Sequence, residues 1–137
     1  MTTIQAAIDP ASFRRLFEGA HDLVAGQPAQ LAATACERCH RQYFPRVAAC
    51  PTCGGRCAER PLGPRATLHR ATAVLHAPPG AVLEVPYHVG LAHFDSGLCV
   101  LGLLLGVGDE APLAGAPLEV VAHPLVEDVI TYAFRLT

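Results

Sequence analysis

The 137-residue chain has no lysine, no tryptophan, one methionine and two serines, Ser12 and Ser96. Neither serine lies in a Gly-x-Ser-x-Gly elbow, which excludes that kind of hydrolase site. A phosphate-cradling glycine loop is missing, and no carboxylate pair stands out from ordinary surface acids. No apolar run reaches the ~18 residues that span a bilayer, because Gly, Pro, His or a charge interrupts each one, including Leu98 to Val107. No membrane role is expected. Residues 1–9 lack a basic cluster followed by an apolar stretch, so the chain does not open like a secretory signal and a cytoplasmic location is expected. In that compartment six cysteines read as metal ligands or buried thiols, not as disulfides.

Charge is scarce, at 16% of residues, against about 25% in an average domain. Either apolar surface is left over for a partner, or abundant alanine inflates the hydrophobic count. The charge is also unevenly placed. From Cys36 to Arg70, seven arginines (38, 41, 46, 56, 60, 65, 70) stand against Glu37 and Glu59, a formal +5, whereas from Ala71 onward Arg135 alone faces seven acids, a formal −6. A basic middle suits the phosphates of nucleic acid or of a nucleotide-bearing cofactor, or an acidic partner face. Its plainer reading is solvated arginine on a loop-rich module.

Asp9-Pro10 has the form of a helix start, and Phe13, Leu16, Phe17, Ala20, Leu23 and Val24 recur at helical spacing up to Gly26. This predicts one short amphipathic helix. Beyond residue 64 the helical period gives way to runs at 67–76, 87–94, 98–106, 118–123 and 129–136, separated by Pro, Gly, Asp and Ser. Five short strands in about 70 residues predict a small closed barrel, since closure hides strand edges. The expected organisation is an N-terminal helix in 1–30, a cysteine module in 31–62 and the barrel in 63–137.

Cys36-Glu37-Arg38-Cys39 is followed by Cys50-Pro51-Thr52-Cys53. Two C-x2-C knuckles aim four thiolates at one point, which is what tetrahedral zinc requires. Gly54 fits the second knuckle, where the turn needs a residue tolerant of positive φ. Cys36 to His40 also spells the c-type haem pattern, but haem attachment leaves the second knuckle unexplained. Four protein ligands leave no open position for metal-activated water, so the zinc is structural. Cys57 is a rival to Cys53 as ligand, though spacing favours Cys53, and Cys99 reads as a small buried hydrophobe in a strand. The seven histidines are scattered, and each alone reads as a strand or surface residue. No independent catalytic site is supported.

Cys36-x2-Cys39, Phe44-Pro45-Arg46, Cys50-Pro51-x-Cys53-Gly54 and Gly63-Pro64-Arg65 are followed by Val85-Pro86-Tyr87-His88-Val89-Gly90, Asp95-x-Gly97, Leu101-Gly102 and Leu113 to Val121. In this order the motifs resemble the zinc-ribbon/OB-fold family of acyl-CoA-associated accessory proteins, small subunits that partner thiolases and related enzymes. The resemblance runs from about residue 31 to the C-terminus. It implies a mainly β fold: an N-terminal helix, a rubredoxin-like zinc ribbon and a five-stranded OB-fold barrel. It also implies a non-catalytic subunit of a thiolase-type complex that stabilises its partner and helps form or gate the CoA-thioester site. A hetero-oligomer such as a heterotetramer follows, with structural Zn2+ on Cys36, Cys39, Cys50 and Cys53.

Tyr43, Phe44, Arg46 and Arg65 are the candidates for contact with CoA or partner, because arginine matches phosphate in bidentate geometry. Pro86, Tyr87 and His88 are expected to shape the barrel. Two departures from the family pattern stand out. His40 occupies a position usually held by Gly, so either the first knuckle is strained or His40 takes a left-handed conformation, and Pro64 stiffens the joint between ribbon and barrel. Two alternatives remain at this stage: an accessory subunit of a hydratase or ketosynthase, and a single-stranded nucleic-acid binder. The second is disfavoured by an acidic barrel with few aromatic residues.

Overall fold

A computed structural model describes residues 13–19, 23–81, 83–126 and 129–137. Eight strands follow in chain order: β1 (Thr34–Cys36), β2 (Gln42–Tyr43), β3 (Cys57–Glu59), β4 (Arg65–Val74), β5 (Tyr87–His93), β6 (Cys99–Leu105), β7 (Pro117–Val126) and β8 (Val129–Leu136). The first three form a small antiparallel sheet in the order β2-β1-β3, and the other five close into a barrel in the order β4-β5-β6-β8-β7. All barrel pairings are antiparallel except β6 with β8. The five expected strands are therefore the barrel strands. Their bounds shift by up to three residues: β4 lies two residues earlier than the expected 67–76, and β7 runs on to Val126 through an irregularity after Pro124, where the sequence reading ended it at 123.

Strand alternation builds the barrel core. Leu118, Val120 and Ala122 on β7 meet Leu68, Ala92, Phe94, Val100, Leu104 and Phe134, all buried. Cys99 corrects the sequence reading. With Val100 and Leu104 inward, the two-residue period turns Cys99 and Leu101 outward, and both are exposed. Gly102 leaves room for two rings, since a Cβ there would meet Tyr132 at 2.6 Å and Phe134 at 2.8 Å.

The expected helix from Asp9-Pro10 to Gly26 falls partly outside the described residues, and within them it does not run on. Phe17 bridges Leu31, and Glu18 N–H donates to the Gln30 carbonyl, so this stretch pairs with extended chain. The reason is tertiary. β4 pairs with β7 only from Arg65 to Thr67, which leaves the β7 edge open beyond Glu119. Residues 26–29 close that gap: the Gly26 and Ala29 amides donate to Ala122 and Val120. Arg135 anchors the segment by bonding the Gly26 carbonyl while paired with Glu119. Backbone pairing outweighs the helical apolar spacing. Among the described residues, no helix is long and apolar enough to cross a membrane.

Core packing is continuous from barrel to ribbon. Phe17, Leu31, Ala33 and Leu62 belong to the same buried cluster as Phe94 and Val120. Leu31 and Leu62 exchange both backbone hydrogen bonds, the Val120 amide donates to the Pro64 carbonyl, and Gln42 Nε2 donates to the Ser96 carbonyl at 2.6 Å. Gly63, at φ 88°, turns the chain from ribbon into β4.

Candidate metal centre

The first knuckle starts on β1, which ends at Cys36, and the tight turn 37–39 returns Cys39 to the same side. The His40 amide closes the turn on the Cys36 carbonyl. His40 then adopts φ 66°, the left-handed one of the two alternatives that the glycine position left open. The second knuckle repeats the device: the Gly54 amide bonds the Cys50 carbonyl, and Gly54 has φ 75°. Short local turns thus place each sulfur pair.

The four sulfurs of Cys36, Cys39, Cys50 and Cys53 all lie within 4.8 Å of one another. Cys36 Sγ is 3.4 Å from Cys53 Sγ, and Cys39 Sγ is 3.6 Å from Cys50 Sγ. A zinc ion with ~2.3 Å bonds to four sulfurs needs edges of roughly 3.8 Å, so the cluster has the dimensions of a tetrahedral thiolate site. Its surroundings suit concentrated negative charge. The amides of Arg38 and Cys39 point at Cys36 Sγ and that of Gly55 at Cys53 Sγ, each at 3.4 Å, and the Tyr43 hydroxyl lies 3.0 Å from Cys50 Sγ. Gly55 is itself required, because a Cβ there would sit 2.9 Å from Cys36 Sγ and 3.3 Å from Cys53 Sγ.

The electrostatics point the same way. Tyr43 above all, with the amides of Cys53 and Thr52, holds the Cys50 thiol down at about 5. The Gly55 amide lowers Cys53 as well, but the neighbouring Cys36, burial, Cys39 and Cys50 together push it up to about 11. Four crowded thiols cannot all ionise by themselves. A divalent cation would supply the charge that lets them do so, and four soft donors would select zinc over hard cations.

Of the residues singled out for cofactor or partner contact, each has a different neighbour. Tyr43 faces Cys50. Phe44 packs edge-on against Tyr132, centroids 5.4 Å apart, where ribbon meets barrel. Arg46 lies 3.4 Å from Glu59 in an exposed ion pair. Arg65 is exposed at the start of β4, beside a cleft of about 320 Å³ that Pro61, Pro64, Phe94 and Asp95 also line. The arginines 38, 41, 46, 56, 60, 65 and 70 are all exposed, so the basic stretch of sequence is a basic surface. Sequence reading missed the second-layer role of Tyr43 and the packing role of Gly55, because both depend on contacts across the ribbon. It also missed a groove of about 310 Å³ lined by Phe44, Pro45, Leu98, Cys99, Leu101 and Tyr132, with Leu101 59% exposed.

A four-thiol ribbon followed by a closed five-stranded barrel, with β6 and β8 parallel, defines a zinc-ribbon/OB-fold protein. Residues 59–123 match the family described as the C-terminal OB-fold domain of ChsH2. This bears out the resemblance to the OB-fold accessory family. Among solved structures, the chain is similar to one titled Ltp2-ChsH2(DUF35) aldolase, at 21% identity and TM-score 0.64, over 78% of this chain and 84% of that one. It is also similar to a protein of unknown function from the DUF35 family of Sulfolobus solfataricus, at 15% identity and TM-score 0.51, over 79% and 76% of the two chains. At these identities what is shared is the fold. No curated protein matches in sequence.

Proposed function

We propose that this chain is a zinc-holding, non-catalytic accessory subunit of an acyl-CoA-processing enzyme of thiolase or aldolase type. The observation that carries this reading is the combination of a four-thiol ribbon with a barrel matching the ChsH2 C-terminal OB-fold domain. The similar structure titled Ltp2-ChsH2(DUF35) aldolase supports an enzyme partner. Zn2+ on Cys36, Cys39, Cys50 and Cys53 is structural and closes the ribbon. When bound, it supplies charge neutralisation for four thiolates and no open coordination position.

The ribbon and β4 present exposed arginines, of which Arg46 and Arg65 are proposed to meet the phosphates of a CoA thioester bound jointly with the partner. Tyr43 supports the metal, and Phe44 shapes the apolar groove with Tyr132. The partner supplies the reacting groups, the complex is a hetero-oligomer, and it works in the cytoplasm. Nucleic-acid binding is the weaker reading, because Phe94 and Phe134 are buried and Tyr132 is packed against Phe44, which leaves no exposed stacking row among the described residues.

The test is to purify the tagged chain from its native cells, identify what accompanies it, and assay acyl-CoA cleavage by the complex and by each part. An acyl-CoA enzyme whose activity or stability depends on this chain is the expected result. Turnover by the chain alone, or co-purifying nucleic acid with no protein partner, overturns the reading.

A further inference from the structure

A fifth thiol stands beside the metal centre. Cys57 on β3 lies directly opposite Cys36 on β1, as Cys36↔Cys57 in the antiparallel register. Residues directly opposite in an antiparallel pair point to the same face of the sheet, so Cys57 shares the face that carries the metal ligand. The Cys36 amide bonds Arg41 on the β2 side and the Cys57 amide bonds Ala48, so the two residues do not bond each other. They form a non-hydrogen-bonded pair, whose Cα atoms lie about 4.5 Å apart, inside the ~4.4–6.8 Å window that a disulfide bridges. Cys57 is partly exposed, whereas Cys36 is 1% exposed.

We propose that Cys57 is an oxidation site that captures Cys36 in a cross-strand disulfide and thereby expels the metal; the expulsion rests on the zinc reading above. The oxidant is a peroxide. Cys57 sulfur loses its proton and attacks a peroxide oxygen, the O–O bond breaks, water leaves and a sulfenic acid remains. Cys36 sulfur then leaves the metal and attacks the sulfenic sulfur. The S–O bond breaks and a second water departs, carrying one proton taken from solvent. Two sulfurs have given two electrons to one peroxide. Zinc is left with three protein ligands and is released.

The full-length chain is counted for metal, treated with hydrogen peroxide, and followed with a chromogenic zinc chelator. Cleavage after arginine then separates the thiols, because Cys36 is the one cysteine of peptide 16–38 and Cys57 the one cysteine of peptide 57–65, Arg60 being shielded by Pro61. The expected result is a 16–38/57–65 cross-link that appears as zinc is released, both reversed by a thiol reductant with added zinc. Cys57→Ser, or Cys57→Ala should the first variant misfold, loses the cross-link and the rapid release. Unchanged release in a folded variant overturns the proposal, as do cross-links confined to Cys39, Cys50 and Cys53. A starting chain without zinc overturns the zinc reading, and the peptide map still decides the cysteine pair.

Discussion

The Tyr43 hydroxyl lies 3.0 Å from Cys50 Sγ, and the Arg41 guanidinium also reaches the Cys39 sulfur. Groups in the second layer of a metal site typically govern its affinity by about 10–100-fold. Tyr43→Phe is therefore expected to weaken zinc binding by about that factor, read by chelator competition, with the fold intact. Acidity bears on the same atoms. Cys53 is pushed up to about 11 without the metal, although Cys50 is held near 5. Zinc must displace the Cys53 proton at neutral pH, so apparent zinc affinity rises with pH between about 6 and 8, with proton release on binding. Titrations at the two ends of that range check the sign. A flat profile would mean that all four sulfurs are already ionised.

At the scale of elements, the strands divide the chain's labours. The ribbon strands are two or three residues long and only β1 carries buried residues, so on the zinc reading the metal holds their turns together. Cys39→Ser is expected to abolish stoichiometric zinc and loosen residues 31–62 while the barrel keeps its β signal, measured by metal analysis and circular dichroism. Among the barrel glycines described, Gly102 has the least room: Tyr132 and Phe134 lie against it, and the Tyr132 hydroxyl bonds the Leu101 carbonyl at 2.6 Å. Gly102→Ala forces both rings to move and is expected to cost about 1–3 kcal/mol in urea unfolding. The barrel strands were legible from sequence because half-buried strands repeat every two residues. Within the described residues the expected N-terminal helix does not run on, because Phe17 pairs with Leu31 and residues 26–29 close the β7 edge, which local periodicity does not encode.

At the scale of the molecule, the ribbon and β4 carry exposed arginines while the sequence beyond residue 70 is acidic, an asymmetry suited to orienting an anionic ligand or a partner. In the reconstituted complex, Arg65→Glu is expected to raise KM for the acyl-CoA by about tenfold or more, the value of one charge-assisted hydrogen bond. Zinc content and barrel stability should be unchanged. An unaltered KM would remove Arg65 from the proposed CoA contact.

The sequence by itself determined the four-cysteine cluster and the five barrel strands. C-x2-C knuckles and two-residue alternation are local patterns whose geometry follows from a few neighbouring dihedrals. At His40 it left a strained knuckle or a left-handed turn open, and the structure shows the latter. Tertiary structure decided the rest. It set Cys57 opposite Cys36, gave the Tyr43 hydroxyl to Cys50, turned Cys99 outward and drew residues 26–29 along the β7 edge. Each of these depends on register between segments distant in the chain, and a shift of one residue would reverse the face on which every one of those side chains lies.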